Sequence, residues 1–125
     1  MCRAEDVEPW KVYRRSNPVA RKNYRCCDCN RVIAKGEKYH FATGLNGDSD
    51  YWSTFRLCAH CEAAGEWLIV MCGGWCYTVI GEELREHWDE EYLLRSVGLA
   101  RLIVDRERQW RRRNGELVEV PTYAP

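Results

Sequence analysis

Two Cys-x-x-Cys pairs, Cys26/Cys29 and Cys58/Cys61, constrain this chain more than any other feature of its sequence. Each pair offers two thiols from one tight turn, and a closed tetrahedral metal site needs that arrangement twice. The spacing predicts one ion held by Cys26, Cys29, Cys58 and Cys61, with zinc as the expected metal. Four thiolates leave no position for a water, so such an ion contributes folding free energy rather than chemistry. The competing reading of eight cysteines in 125 residues is a secreted disulfide framework. Disulfide frameworks show no preference for paired Cys-x-x-Cys spacing, and six Trp and seven Tyr supply a core without staples.

The segments around the two pairs predict an α+β fold. Trp10 to Arg15 alternates apolar and charged residues and reads as a strand, ended by Ser16-Asn17-Pro18. The first pair then occupies a knuckle, with Ile33 beneath it and Gly36 free to turn. Lys38 to Thr43 and Tyr51 to Leu57 read as a β-hairpin, rich in aromatic and β-branched residues and joined by GLNGDSD. The second pair opens a helix in which Cys61, Ala64, Leu68 and Met71 or Cys72 recur at helical spacing, stopped by Gly73-Gly74. Glu62 and Glu66 suit the positive end of that helix dipole, as does a thiolate. Knuckle, hairpin, then a helix bearing the second pair is the order of a treble-clef zinc finger.

Two more helices are expected: Glu82 to Trp88, and Glu90 to Arg113 with Leu93, Val97, Ala100, Val104 and Trp110 as its apolar stripe and Asn114-Gly115 as its cap. The organisation is one domain over 1–125: a zinc-binding unit at 10–77, helices packed on it at 78–114, and an extended tail at 115–125.

Other constellations are weaker. Cys72 and Cys76, with Cys2 or His87, make a possible second metal site, although buried cysteine is a common small core residue. Cys27 is out of register with the pairs and reads as a free thiol. His40, Asn46 and His60 follow the order of a His-Asn-His endonuclease, but Tyr39 stands where that motif has an acid and Glu62 where it has the helix histidine. Asn46, Asp48 and Asp50 alternate like the start of a calcium loop, yet Leu57 falls at the twelfth position, where a bidentate glutamate is needed. These residues serve more simply as the hairpin turn.

Charge gives a divided picture. Nineteen basic residues balance nineteen acidic ones, so the bulk basicity typical of a nucleic-acid binder is absent. Arg14 to Arg25 nevertheless carries five positive charges and no negative one, and Arg106 to Arg113 carries five arginines around Trp110. Basic residues beside aromatics hold phosphates and stack on bases. The acidic run EELREHWDEE opposes that use if it shares their face. No run approaches a membrane span, and MCRAEDVEPW lacks the character of a signal segment; a cytoplasmic location, no membrane partner and no small-molecule substrate are the expectations.

The stretch from about residue 20 to 88 resembles a group of small, uncharacterised zinc-finger-like proteins encoded by bacteriophages, especially those of actinobacteria. Cys26, Cys29, Ile33, Gly36, Glu37, Cys58 and Cys61 match its pattern of a Cys-x-x-C knuckle, a Gly-Glu turn, a hairpin and a second pair opening a helix. The resemblance implies a treble clef and a phage setting, and carries no activity. The expected function is a noncatalytic binding protein that engages a host or phage protein, with nucleic acid as the alternative partner and nuclease action as a further alternative. The candidate contact residues are Asp48, Asp50 and Trp52 at the hairpin tip, or Trp110, Arg111, Arg112 and Arg113 at the C-terminal helix.

Overall fold

The computed structural model describes residues 12–45, 51–73, 75, 77–90 and 97–122. Among the described residues, five strands precede three helices: β1 (Val12–Ser16), β2 (Tyr24–Arg25), β3 (Val32–Ile33), β4 (Tyr39–Leu45), β5 (Trp52–Cys58), α1 (Ala59–Cys72), α2 (Ile80–Glu90) and α3 (Val97–Glu107). β4 lies between β1 and β5 in an antiparallel sheet, while β2 and β3 form a separate two-residue ribbon. The predicted hairpin is present, each strand starting one residue later and ending one or two residues later than the sequence pattern suggested. Val19 bridges to Lys38 and, with the Ala20 amide on the Glu37 carbonyl, ties the ribbon to the sheet.

Register decides the two faces of the sheet. His40 opposes Leu57, and Ala42 opposes both Phe55 and Arg15; Phe41 opposes Arg56 and Ser16, and Thr43 opposes Thr54 and Arg14. Paired residues share a face and successive ones alternate. The face bearing His40, Ala42 and Leu57 is packed against α1 and the chain that follows it, where Tyr77 stacks on Phe55 at 4.4 Å between ring centroids.

α1 begins where the sequence places it, with Cys58 as N-cap, and stops at Gly73, whose φ of 83° is the left-handed cap conformation. Cys61, Ala64 and Leu68 are all buried, as their spacing predicts. Gly65 has a separate reason to lack a side chain: a Cβ there would stand 2.8 Å from the Trp75 ring.

The C-terminal part differs from expectation in two ways. α3 ends at Glu107 rather than near Arg113, because Gln109 (φ 55°) takes the left-handed position of a Schellman cap. The Trp110 amide bonds the Asp105 carbonyl at 2.7 Å and the Gln109 amide bonds that of Arg106 at 2.9 Å, the paired bonds of that motif. The apolar stripe is also rotated: Leu99 and Leu102 face the core while Val104 is exposed. Arg106 sets this rotation, since it lies on the Leu99/Leu102 face and is held inward by Asp28. Leu93 lies outside the described residues, and the side chain of Val97 is likewise not described. Beyond α3, Arg111 bridges to Leu117 around a turn with Gly115 at φ 87°, and Val118 bonds back to Trp110. Ile33, Leu57, Leu68, Ile80, Leu84, Leu99, Leu102 and Trp110 form one buried cluster that is continuous with the four paired cysteines.

Candidate metal centre

The first cysteine pair is shaped by the ribbon. The Cys26 amide bonds the Arg31 carbonyl at 2.9 Å and the Asn30 amide bonds the Cys26 carbonyl at 3.1 Å, closing the turn between β2 and β3. Asn30 takes φ 64°, a conformation that its short amide side chain tolerates better than most. Curling the backbone in this way points amides at sulfur: those of Asp28 and Cys58 both reach Cys26 Sγ at 3.4 Å. The second pair is shaped by α1. Cys58 sits at the N-cap with extended backbone, and its Sγ accepts from the Cys61 amide at 3.4 Å, as a capping oxygen would. The Trp110 indole N–H donates to Cys61 Sγ at 3.3 Å.

The four Sγ atoms lie within 4.8 Å of one another and all four residues are buried. A tetrahedral ion bound to thiolates at about 2.3 Å has S···S edges of about 3.8 Å; Cys29 and Cys58 stand 3.8 Å apart. A disulfide needs about 2.05 Å, and these cysteines are free. The residues therefore fit one metal ion. Without a cation they cannot all ionise. Thiol hydrogen bonds from Cys29, Cys58 and Cys61 push Cys26 far down, while hydrogen bonding to Cys26 and Cys29 pushes Cys58 and Cys61 far up. Only a positive ion lets four thiolates coexist at this distance.

Two arginines supply further positive charge. Arg31 is 1% exposed, bonds Val32 O at 2.9 Å and pairs with Glu37 at 3.0 Å. Burial opposes its charge, but Glu37 and the thiolates of Cys58 and Cys29 more than offset that. Arg106 reaches from α3 to Asp28, with Nε on Oδ1 and a terminal nitrogen on the backbone carbonyl, both at 2.8 Å. The other Asp28 oxygen accepts the Ile80 amide at 2.9 Å, at the start of α2. One carboxylate with no exposed side-chain surface thus joins the cysteine turn to both C-terminal helices. Gln109 Nε2 adds a 3.1 Å bond to the Cys29 carbonyl.

His60 belongs to the same shell. Its Nε2–H donates to the Val118 carbonyl at 2.6 Å, so Nδ1 is the acceptor facing Arg31 at 3.3 Å. Burial, followed by the neighbouring Arg31 charge, keeps this imidazole neutral to lower pH than usual. His40 is buried elsewhere: it donates from Nδ1 to Glu62 and its Nε2 meets the Tyr77 hydroxyl at 2.6 Å. The two histidines share no partner, and Asn46 lies outside the described residues.

Of the other residues singled out from the sequence, Cys2, Asp48, Asp50 and Cys76, and the side chain of Cys72, lie outside the described residues. Cys27 is half-buried, and burial followed by the Cys26 charge pushes its thiol up to about 12, which suits an inert thiol. Trp52 is 61% exposed. Trp110, named from sequence both in an apolar stripe and as a contact residue, is corrected in the second role: it is fully buried, because the left-handed backbone at Gln109 and Trp110 swings the indole onto Cys61. Arg111, Arg112 and Arg113 are exposed but lie on a turn, where Arg111 donates to Gly115 O at 2.7 Å. The shell of Asp28, Arg31, His60, Arg106 and Trp110 was not found from sequence. No local spacing signals it. Among the described residues, no helix is long and apolar enough to cross a membrane. No family model, curated protein or solved structure matches this chain.

Proposed function

We propose that this chain is a noncatalytic binding module of treble-clef type, stabilised by one structural zinc ion on Cys26, Cys29, Cys58 and Cys61. The observation that carries the reading is the closure of the site: four buried thiols at tetrahedral spacing, with four N–H donors turned onto sulfur. Four sulfurs in a tetrahedron select zinc or iron among common metals, and zinc, without redox chemistry, suits a site whose ligands are continuous with the core. Such a centre keeps no open position. The nuclease alternative draws no support from His40 and His60, since both are buried and each is hydrogen-bonded to a different part of the fold. A binding role in the host cytoplasm, as a phage accessory factor, is the setting that the sequence resemblance implies and that this reading adopts.

The test is elemental analysis of purified protein together with circular dichroism during chelation. One zinc per chain is expected, with tertiary structure lost as the metal leaves. A folded protein without metal, or with iron in zinc's place, would overturn the zinc assignment; magnesium-dependent plasmid cleavage that disappears in His40→Ala would overturn the noncatalytic one.

A further inference from the structure

Among the described residues, the β1-β4-β5 sheet is covered by helix on one side only. The other side presents, by alternation and register, Arg14 from β1, Phe41 and Thr43 from β4, and Trp52, Thr54 and Arg56 from β5. Tyr24 of the ribbon leans onto this side, 5.6 Å from Tyr39 between ring centroids. The Arg56 guanidinium lies 4.3 Å from the Tyr24 ring centre and 5.4 Å from that of Phe41, and the Lys22 ammonium is 5.5 Å from Tyr24. An open depression of about 320 Å³ sits here, between Ser16, Val19 and Arg21 at its rim and the rings of Tyr24, Tyr39 and Phe41.

The charged residues described on this side are basic. Among the described residues, none of the sheet positions facing this way carries a carboxylate. Three described acids close to these strands in sequence are turned elsewhere, Asp28 to Arg106, Glu37 to Arg31 and Glu62 to His40; Asp48 and Asp50 lie outside the described residues. The acidic run noted in the sequence belongs to α2, which packs on α1 and α3. Among the described residues this leaves Arg14, Arg21, Lys22 and Arg56 along the uncovered side.

We propose that this sheet face binds single-stranded nucleic acid, with phosphates held by Arg14, Arg21 and Lys22 and bases stacked on Trp52 and on the aromatic floor at Tyr24 and Phe41. The inference rests on the reading of the chain as a binding module and names its partner class. Flat aromatic faces ringed by cations suit unpaired bases, which stack on any ring and bring a phosphate with each residue. A duplex hides those base faces. Along β5, Trp52 and Arg56 are separated by about 13 Å, a span suited to a few extended nucleotides. The site is distinct from the Arg111 to Arg113 turn, beside which Trp110 is buried rather than exposed.

Fluorescence anisotropy of the intact, metal-loaded chain with labelled oligo-dT of about 12 nucleotides tests this, with metal content and circular dichroism taken on the same preparation. Expected are binding that weakens as salt rises, quenching of tryptophan fluorescence, and affinity lowered about tenfold by Trp52→Ala. The double variant Arg14→Glu, Lys22→Glu should flatten the log–log salt slope by about 1.4, for two phosphate contacts at about 0.7 each. Reversing Arg111, Arg112 and Arg113 should leave binding intact. No binding at about 50 mM salt by folded protein would overturn the inference, as would binding insensitive to the sheet substitutions, or a preference for duplex or for an acidic peptide. Folded protein that binds oligo-dT as described yet contains no zinc would leave this inference standing and remove the zinc assignment alone.

Discussion

The metal centre and the open sheet face lie a few residues apart in sequence and follow opposite rules. At the centre, every sulfur partner, carboxylate and guanidinium is engaged and shielded: Asp28 holds Arg106 and the start of α2, and Trp110 closes over Cys61. On the sheet face, Trp52 and Arg14 point to solvent and the aromatic depression lies open. Polar groups at the first are costly to disturb because they have been taken out of water and paired. Those at the second contribute little to the fold and are available to a partner. Substitutions should therefore separate stability from binding, region by region.

The largest effect is expected at the ligands. Cys58→Ser removes one thiolate and a helix cap together; metal binding supplies on the order of 10 kcal/mol to the folding of small zinc units, so circular dichroism should show a largely unfolded chain. Next comes the Asp28–Arg106 pair. Asp28→Ala leaves a half-buried guanidinium without its carboxylate and frees the α2 amide, which should cost about 3–5 kcal/mol in a urea titration; a loss below about 1 kcal/mol would show that the helices dock without it. Trp110→Phe keeps most of the packing but removes the N–H···S bond. It should cost about 1–2 kcal/mol and speed metal release to a chelator.

Glu37→Gln should show a smaller loss with a pH signature. Burial raises the Glu37 carboxyl, but Arg31 and the Ala34 amide more than offset this and leave it below its ordinary 4.5. The folded state thus takes up this proton less readily than the unfolded chain. The stabilisation is fully present above about 4.5 and is lost as pH falls through the lower folded value. Replacement by Gln should cost about 1–2 kcal/mol at neutral pH, and the difference between variant and parent should shrink in acid. The smallest effect on stability belongs to the open face: Trp52→Ala and Arg14→Glu should each change unfolding free energy by about 0.5 kcal/mol or less, while altering nucleic-acid binding.

The sequence was most informative where the determinants are local. Cysteine spacing identified the four residues that cluster, aromatic and β-branched runs around a turn-rich segment found the hairpin, and the period of Cys61, Ala64 and Leu68 together with Gly73 set α1 and its end. It failed where a distant partner decides. Arg106 reads only as one member of a basic run and nothing local marks Arg31, and only the thiolates and acids brought to them by the fold explain their burial. The sequence places Trp110 on a helix running to Arg113, both in its apolar stripe and among the contact residues; because Gln109, not glycine, occupies the left-handed cap, nothing local announced that α3 stops before it. The phase of α3 was misjudged for the same reason: Leu99 and Leu102 face inward with Arg106, whose anchor Asp28 is 78 positions away.

X-ray absorption at the zinc edge tests the central claim most directly. Four sulfur scatterers at about 2.3 Å and no nitrogen or oxygen neighbour are the predicted result. A water, histidine or carboxylate in the coordination shell would contradict it, because the site would then be open and the ion available for chemistry.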